Sequence, residues 1–345
     1  MIRKSFFSYF MMLSLTILIY GQESGNRDSW EIPVVVVKYL PVNGDTIDIE
    51  ATGDWGKSLA FTRHKTDSIT QRLVSFLEEA SRFRVYNNPD AKPSLTYRID
   101  TTYEFLEPLP TKSHFFRKTP MTDYNAIVER IGGKKWVEEM GVKEIWLWGY
   151  HGGKVHLWES NMAGPYGDIS NSNRDEDDLP VFKNTYTLYH YNYQRGLSEA
   201  GEDHMHQIEA LLNYVDGRDD TPKGEWDQLL FWGQFVGSDA SHKIINPGCG
   251  WAHYPPNGEK DYDWANKRFV ESDIEDWKPD GSGQKKRMNC ERWNCNSLDW
   301  FKLWMQSLPG MNNGLQFRDK ELINWWVFIG DWDFAMKNGL SLVRE

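Results

Sequence analysis

The chain has 345 residues, with 50 Asp plus Glu against 39 Lys plus Arg and a formal charge of −11. Such a balance offers no basic face to a phosphate backbone and argues against a nucleic-acid partner. Its 17 Trp, 16 Tyr and 17 Phe imply either a core rich in rings or flat platforms for sugars.

The chain starts Met1-Ile2-Arg3-Lys4, runs apolar from Phe6 to Tyr20 with only Ser and Thr between, and leaves through Gly21-Gln22-Glu23-Ser24-Gly25. That pattern predicts a signal peptide over 1–21 and a secreted or periplasmic protein. The apolar stretch is shorter than the about 20 residues of a spanning helix. No Cys follows to carry a lipid, which argues against a lipoprotein; an N-terminal membrane anchor left uncleaved is the alternative, and no later segment is apolar enough to span a bilayer. The rest divides into an expected α/β core over 30–237 and an irregular Cys-, Asp- and Trp-rich lobe over 238–345, whose C-terminal helices pack on the core.

Val34 to Leu40 reads as a buried strand. Thr66 to Phe83 has Ile69, Leu73, Phe76 and Leu77 at helical spacing, with Asp67 or Ser68 as cap. Ser94 to Phe105 predicts a strand, Tyr124 to Met140 a helix closed by Gly141, and Lys143 to Tyr150 a strand. Gly152 to Asn184, with its acidic run Asp175 to Asp178, reads as a long loop. A strand over Thr185 to Tyr193 leads into a helix from Arg195 to Val215. Further helices are expected over Glu225 to Val236, Leu298 to Leu308 and Asp319 to Ile329. Strands alternating with helices predict an α/β fold, a layered, mostly parallel or mixed sheet with flanking helices, plus the irregular C-terminal lobe.

The Arg195–Val215 helix carries the chemistry. At about 100° per residue, Arg195, Glu199, Glu202, His206, Glu209 and Asn213 fall within about 80° of one another. Leu197, Ile208, Leu211, Leu212 and Val215 lie opposite, and His204 falls among them as a core histidine. The polar stripe lacks lysine, the usual filler of a solvated face, and stacks carboxylates where like charges repel. A metal, a protonated carboxyl or Arg195 would offset that repulsion. His206 and Glu209 form an H-x-x-E pair suited to zinc or another divalent metal, with His253 as third ligand and Glu202 as ligand, orienter or general base. Alternatively Glu199, Glu202 and Glu209, with Glu159 as a partner from another segment, would serve glycoside cleavage.

In the lobe, Gly248 to Asn257 holds His253 in a rigid Gly/Pro loop, followed by Asp261-Tyr262-Asp263-Trp264. Asp273, Asp276 and Asp280 are candidates for calcium, without EF-hand spacing, or for turns. Cys249, Cys290 and Cys295 allow one disulfide; Cys290–Cys295 and Cys249–Cys290 both remain open. Adjacent Trp325 and Trp326 cannot share one face of a regular element, which leaves one ring for a ligand.

These stretches resemble a group of secreted bacterial and fungal proteins of no established activity. The resemblance is carried by Val142 to Tyr150, Glu159-Ser160-Asn161-Met162, and Tyr191-Asn192-Tyr193-Gln194-Arg195-Gly196 followed by Glu199, Glu202, His206 and Glu209. It continues in Cys249-Gly250, His253, Pro255-Pro256-Asn257 and Asn324-Trp325-Trp326, and covers about the last two-thirds of the chain. It implies one shared pocket built from these segments. Ile274 departs from it, standing where a cysteine is expected before Asp276-Trp277. Pockets in α/β sheets form beyond the carboxyl ends of strands, which groups Tyr150, His151 and Glu159 with Tyr193 and Arg195. The function expected is a secreted hydrolase of an extracellular polymer, most readily a polysaccharide. The alternatives are a zinc-dependent peptidase or amidase and a non-catalytic carbohydrate-binding protein.

Overall fold

A computed structural model describes residues 29–113, 118–171 and 178–344; the expected signal peptide and Asp175 to Asp177 lie outside them. Five strands form the main sheet: β1 (Trp30–Tyr39), β2 (Leu95–Phe105), β3 (Glu144–Gly149), β4 (Ser160–Ala163) and β5 (Tyr186–Asn192). Their order is β2-β1-β3-β5-β4. The first four in that order run parallel, and β4 closes the edge antiparallel to β5. Val34 to Val37 are all buried, as an interior parallel strand covered on both faces requires. The α/β layered class expected from the alternation of elements is therefore the one found.

Side-chain alternation shows that both faces are covered. Trp148 Nε1 donates to Thr70 of α1 (Leu59–Ala80) at 2.9 Å. On β5, His190 points the other way and meets the Tyr124 hydroxyl of α2 (Tyr124–Arg130) at 3.2 Å. After α3 (Gly133–Glu138) and the next strands comes α4 (Leu197–Val215), the helix of the polar stripe. Tyr191 of β5 is hydrogen-bonded to His204 of α4 at 2.7 Å. In the C-terminal part, α5 (Ser297–Ser307) packs on both α1 and α4.

Five local expectations are corrected. The first long helix begins at Leu59, capped by Ser58 accepting from Phe61 N–H at 3.2 Å; its first turns bury Thr62 and Thr66, so no apolar stripe marks them. The helix expected over 124–140 breaks at Gly132, whose φ of +68° continues no right-handed helix. The Glu225–Val236 segment is a 3₁₀ turn (Lys223–Gln228) followed by a π-helical turn (Leu230–Val236). The expected helix 319–329 starts as a hairpin, Gln316–Phe317 with Lys320–Glu321. Arg318 and Asp319 both take positive φ in its two-residue turn, as tight hairpins require. Two short helices follow, α6 (Val327–Gly330) and α7 (Trp332–Lys337). The loop expected over 152–184 also contains β4, whose four buried residues show no alternation from which to read a strand.

Between α4 and α5 the chain is irregular, and indoles do the work of missing backbone pairing. Trp264 and Trp300 both donate to the Ala252 carbonyl, at 2.8 and 3.1 Å. Trp304 donates to Gly250 O and Trp277 to Gln234 O, at 2.8 and 2.9 Å. Each ring thus fills the core and satisfies a loop carbonyl at once. Cys290 and Cys295 form the disulfide, while Cys249 is a buried free thiol. Ile274 is wholly buried.

Candidate metal centre

The polar stripe of α4 faces the irregular lobe and is buried by it from His206 through Glu209 to Asn213. From the lobe, the loop around Ala252 brings His253 against this stripe. Its position is held from three directions, because Ala252 N–H donates to Glu209 Oε1 at 2.6 Å while its carbonyl accepts the two indoles.

Three acceptor atoms converge. His206 Nε2 lies 3.1 Å from His253 Nε2, and Glu202 Oε1 lies 3.2 Å from His253 Nε2 and 3.7 Å from His206 Nε2. A point equidistant from corners so spaced is about 2 Å from each, the length of a zinc–nitrogen or zinc–oxygen bond. The other ring nitrogens face carboxylates: His206 Nδ1 lies 3.1 Å from Glu209 Oε2, and His253 Nδ1 lies 3.4 Å from Asp261 Oδ1. Carboxylates beside both Nδ1 atoms favour the tautomers that carry hydrogen there and leave the Nε2 lone pairs toward the common point. Glu202, His206 and His253 are thus placed to hold a metal ion.

Electrostatics agree with this convergence. Burial opposes the charge on Glu202, yet hydrogen bonds from His206 and then His253 outweigh it and hold the carboxyl at about 2. Burial likewise opposes a charged His206, but Glu202 and Glu209 overcome it and raise the imidazole well above its usual value. The centre attracts positive charge, whether as a proton or as a cation. Asp203, next in the chain, is buried; burial first and the Glu159 charge second lift its carboxyl well above the ordinary range.

Of the residues expected here, Glu202, His206 and His253 come together, and Glu209 joins them in a different role. It was expected as a ligand, but it engages the ring nitrogen of His206 that faces away from the shared point, and so orients that ring. Glu159, just before β4, accepts from Asn171 Nδ2 at 2.6 Å, and its charge acts on His206, Asp203 and Tyr262. Glu199 is drawn away to cap the helix, accepting from Gly196 N–H at 3.0 Å and the Ser198 hydroxyl at 2.9 Å. Arg195 is exposed ahead of the helix and makes no ion pair among the described residues.

Tyr150, His151 and Tyr193 lie at the carboxyl ends of β3 and β5 as expected, but the Tyr150 and Tyr193 rings are buried and only His151 is exposed. Trp325 and Trp326 are both buried, so neither ring faces a ligand; the short helix that follows lets both turn inward, with Trp325 Nε1 donating to Leu342 O at 3.0 Å. The lobe carboxylates make turns: Asp280 accepts from Ser282 N–H, Asp276 from Gln284 N–H and Asp263 from Glu259 N–H, each at 2.8–2.9 Å. Two neighbours were not foreseen as site residues. Asp203 lies off the stripe on the helical wheel, and Tyr262 reaches His253 only through the fold of its loop. Among the described residues no helix is long and apolar enough to cross a membrane. Compared with known protein families, curated proteins and solved structures, the chain finds no match.

Proposed function

We propose that the protein is an exported, metal-dependent hydrolase that cleaves an amide or ester bond. The observation that carries this reading is the convergence of Glu202 Oε1, His206 Nε2 and His253 Nε2 on one point. Held by these three residues, a zinc ion would keep a position open to water or substrate, as catalytic zinc does. Zinc or a similar divalent ion bound there would act as a Lewis acid on the scissile carbonyl and lower the pKa of water. A general base would take the proton of the attacking water as oxygen adds to the carbonyl carbon, and Glu159, whose charge acts on His206, is the carboxylate we assign to that role. The same carboxyl then returns that proton to the departing amine or alcohol. Glu209 holds the His206 ring, and Asp261 holds that of His253.

This reading is favoured over direct glycoside cleavage by Glu202. A carboxyl held at about 2 and committed to two imidazoles is a poor proton donor at neutral pH. Export is supported by the leader-like first residues and by the Cys290–Cys295 bridge, which an oxidising compartment preserves. The test is metal analysis of the purified mature chain by plasma mass spectrometry, beside His206→Ala and Glu202→Gln. Near-stoichiometric zinc or another transition metal, depleted in both variants while the fold persists by circular dichroism, is the expected result. A wild-type protein that binds none of these ions on titration would overturn the reading.

A further inference from the structure

The His253 imidazole sits between two rings of its own loop. Tyr262 lies at a centroid distance of 4.1 Å and Trp251 at 5.1 Å, tilted by 39° and 33°. Tyr254 stacks on Trp251 at 5.2 Å, and Trp264 meets Tyr262 edge-on at 5.3 Å. Trp264 is fixed by its bond to Ala252 O, so the support beneath Tyr262 is firm. Tyr262 itself remains 55% exposed. Its backbone is left-handed, with φ of +60°, an uncommon state for a bulky residue. That conformation brings a large ring to the mouth of the metal centre and leaves part of it open to solvent.

Resting on the hydrolase reading above, we propose that Tyr262, backed by His253 and Trp264, is the platform on which a sugar ring of a neutral polysaccharide is seated beside the Glu202–His206–His253 centre. One face of a pyranose presents only C–H bonds and stacks on an aromatic ring, while its hydroxyls stay hydrogen-bonded. Charge narrows the class. Glu202 Oε1 and Asp261 Oδ1 lie 3.2 and 3.4 Å from the two nitrogens of the His253 ring on which Tyr262 rests, so carboxylates flank the platform. The same carboxylates repel a uronate or sulfated chain. A neutral chain meets no such repulsion.

The test is affinity electrophoresis of the full mature chain in gels containing glycol chitin, hydroxyethylcellulose or polygalacturonate. Tyr262→Gly is the informative variant, because glycine accepts the positive φ and leaves the loop unstrained. Retardation of the wild type by a neutral polymer and not by polygalacturonate is expected, with about a tenfold weaker apparent affinity in Tyr262→Gly. Tyr262→Phe, which keeps the ring, should stay within about threefold of the wild type. No retardation by either neutral polymer, equal retardation by polygalacturonate, or unchanged binding in Tyr262→Gly overturns the platform. Metal content separates the two readings. A zinc-loaded protein that binds no neutral polymer defeats the platform alone. A protein that takes up no metal yet loses binding with Tyr262→Gly defeats the hydrolase and leaves the platform standing.

Discussion

Glu202 and Glu209 flank His206 at helical spacings of four and three, yet each meets a different nitrogen of its ring. That difference assigns their roles. Glu202 shares the metal point with Nε2, whereas Glu209 grips Nδ1 with one oxygen and the Ala252 N–H with the other. A glutamine at 209 keeps a single acceptor and satisfies only one of these donors. Glu209→Gln should therefore weaken metal affinity by about 10–100-fold, the usual effect of losing a residue that orients a ligand. Glu202→Ala, which removes a ligand, should weaken it further. Competition titration against a chromophoric chelator measures both, and wild-type affinity in Glu209→Gln would reject the orienting role. At this scale the sequence was partly legible. His204 was readable as a core residue from its place on the wheel, and it stacks on Tyr189 at 3.9 Å. The choice between two carboxylates one turn from His206 was not readable, because spacing fixes a face of the helix and not the rotamer.

On α4, the missing lysines were the useful signal: a stripe of carboxylates without counter-ions is costly in water and pointed to a buried or metal-bearing face. From His206 to Asn213 the stripe is buried, and its partner is the lobe rather than the sheet. A second element carries its own titratable group. Glu144, at the start of β3, is buried, and Trp146 Nε1 donates to its Oε2 at 2.7 Å. Burial raises this carboxyl to about 8, although the Trp146 hydrogen bond and Lys143 oppose the rise. A folded-state pKa above the ordinary 4.5 means that the native chain holds a proton the unfolded chain has released. The stabilisation is complete below the ordinary pKa and is lost as pH climbs through about 8. Glu144→Gln, which can still accept from Trp146, should flatten this decline. The wild type should lose on the order of a few kcal/mol more than the variant between pH 5 and pH 8, measured by urea unfolding at both. Parallel pH dependence in the two proteins would show that Glu144 is not the group responsible.

Across the whole molecule, the candidate metal centre joins two parts: Glu202 and His206 come from the helix after β5, and His253 comes from the irregular lobe. An ion bound between them would tie the lobe to the core and stabilise the folded state by mass action, by about 2.7 kcal/mol at a hundred times Kd. Its effect should be local as well. Zinc should raise Tm and protect backbone amides from Gly250 to Trp264 against hydrogen exchange, while β1 and β3 stay protected with or without it. Exchange that is insensitive to zinc in this loop would sever the link between the ion and the lobe.

Sequence by itself determined the α/β class, the strand core around Val34 to Val37, and the helix face that carries Glu202, His206 and Glu209. These follow from local periodicity, which sets the face on which a side chain lies. Tertiary structure alone decided that Glu202 rather than Glu209 completes the metal triangle, that Cys290 pairs with Cys295, and that Trp325 and Trp326 are both buried. It also decided that Tyr262 stands over His253. His206 and His253 are 47 residues apart in the chain. Their meeting depends on an irregular loop held by tryptophan side chains, and no repeat or spacing in the sequence encodes that loop's path.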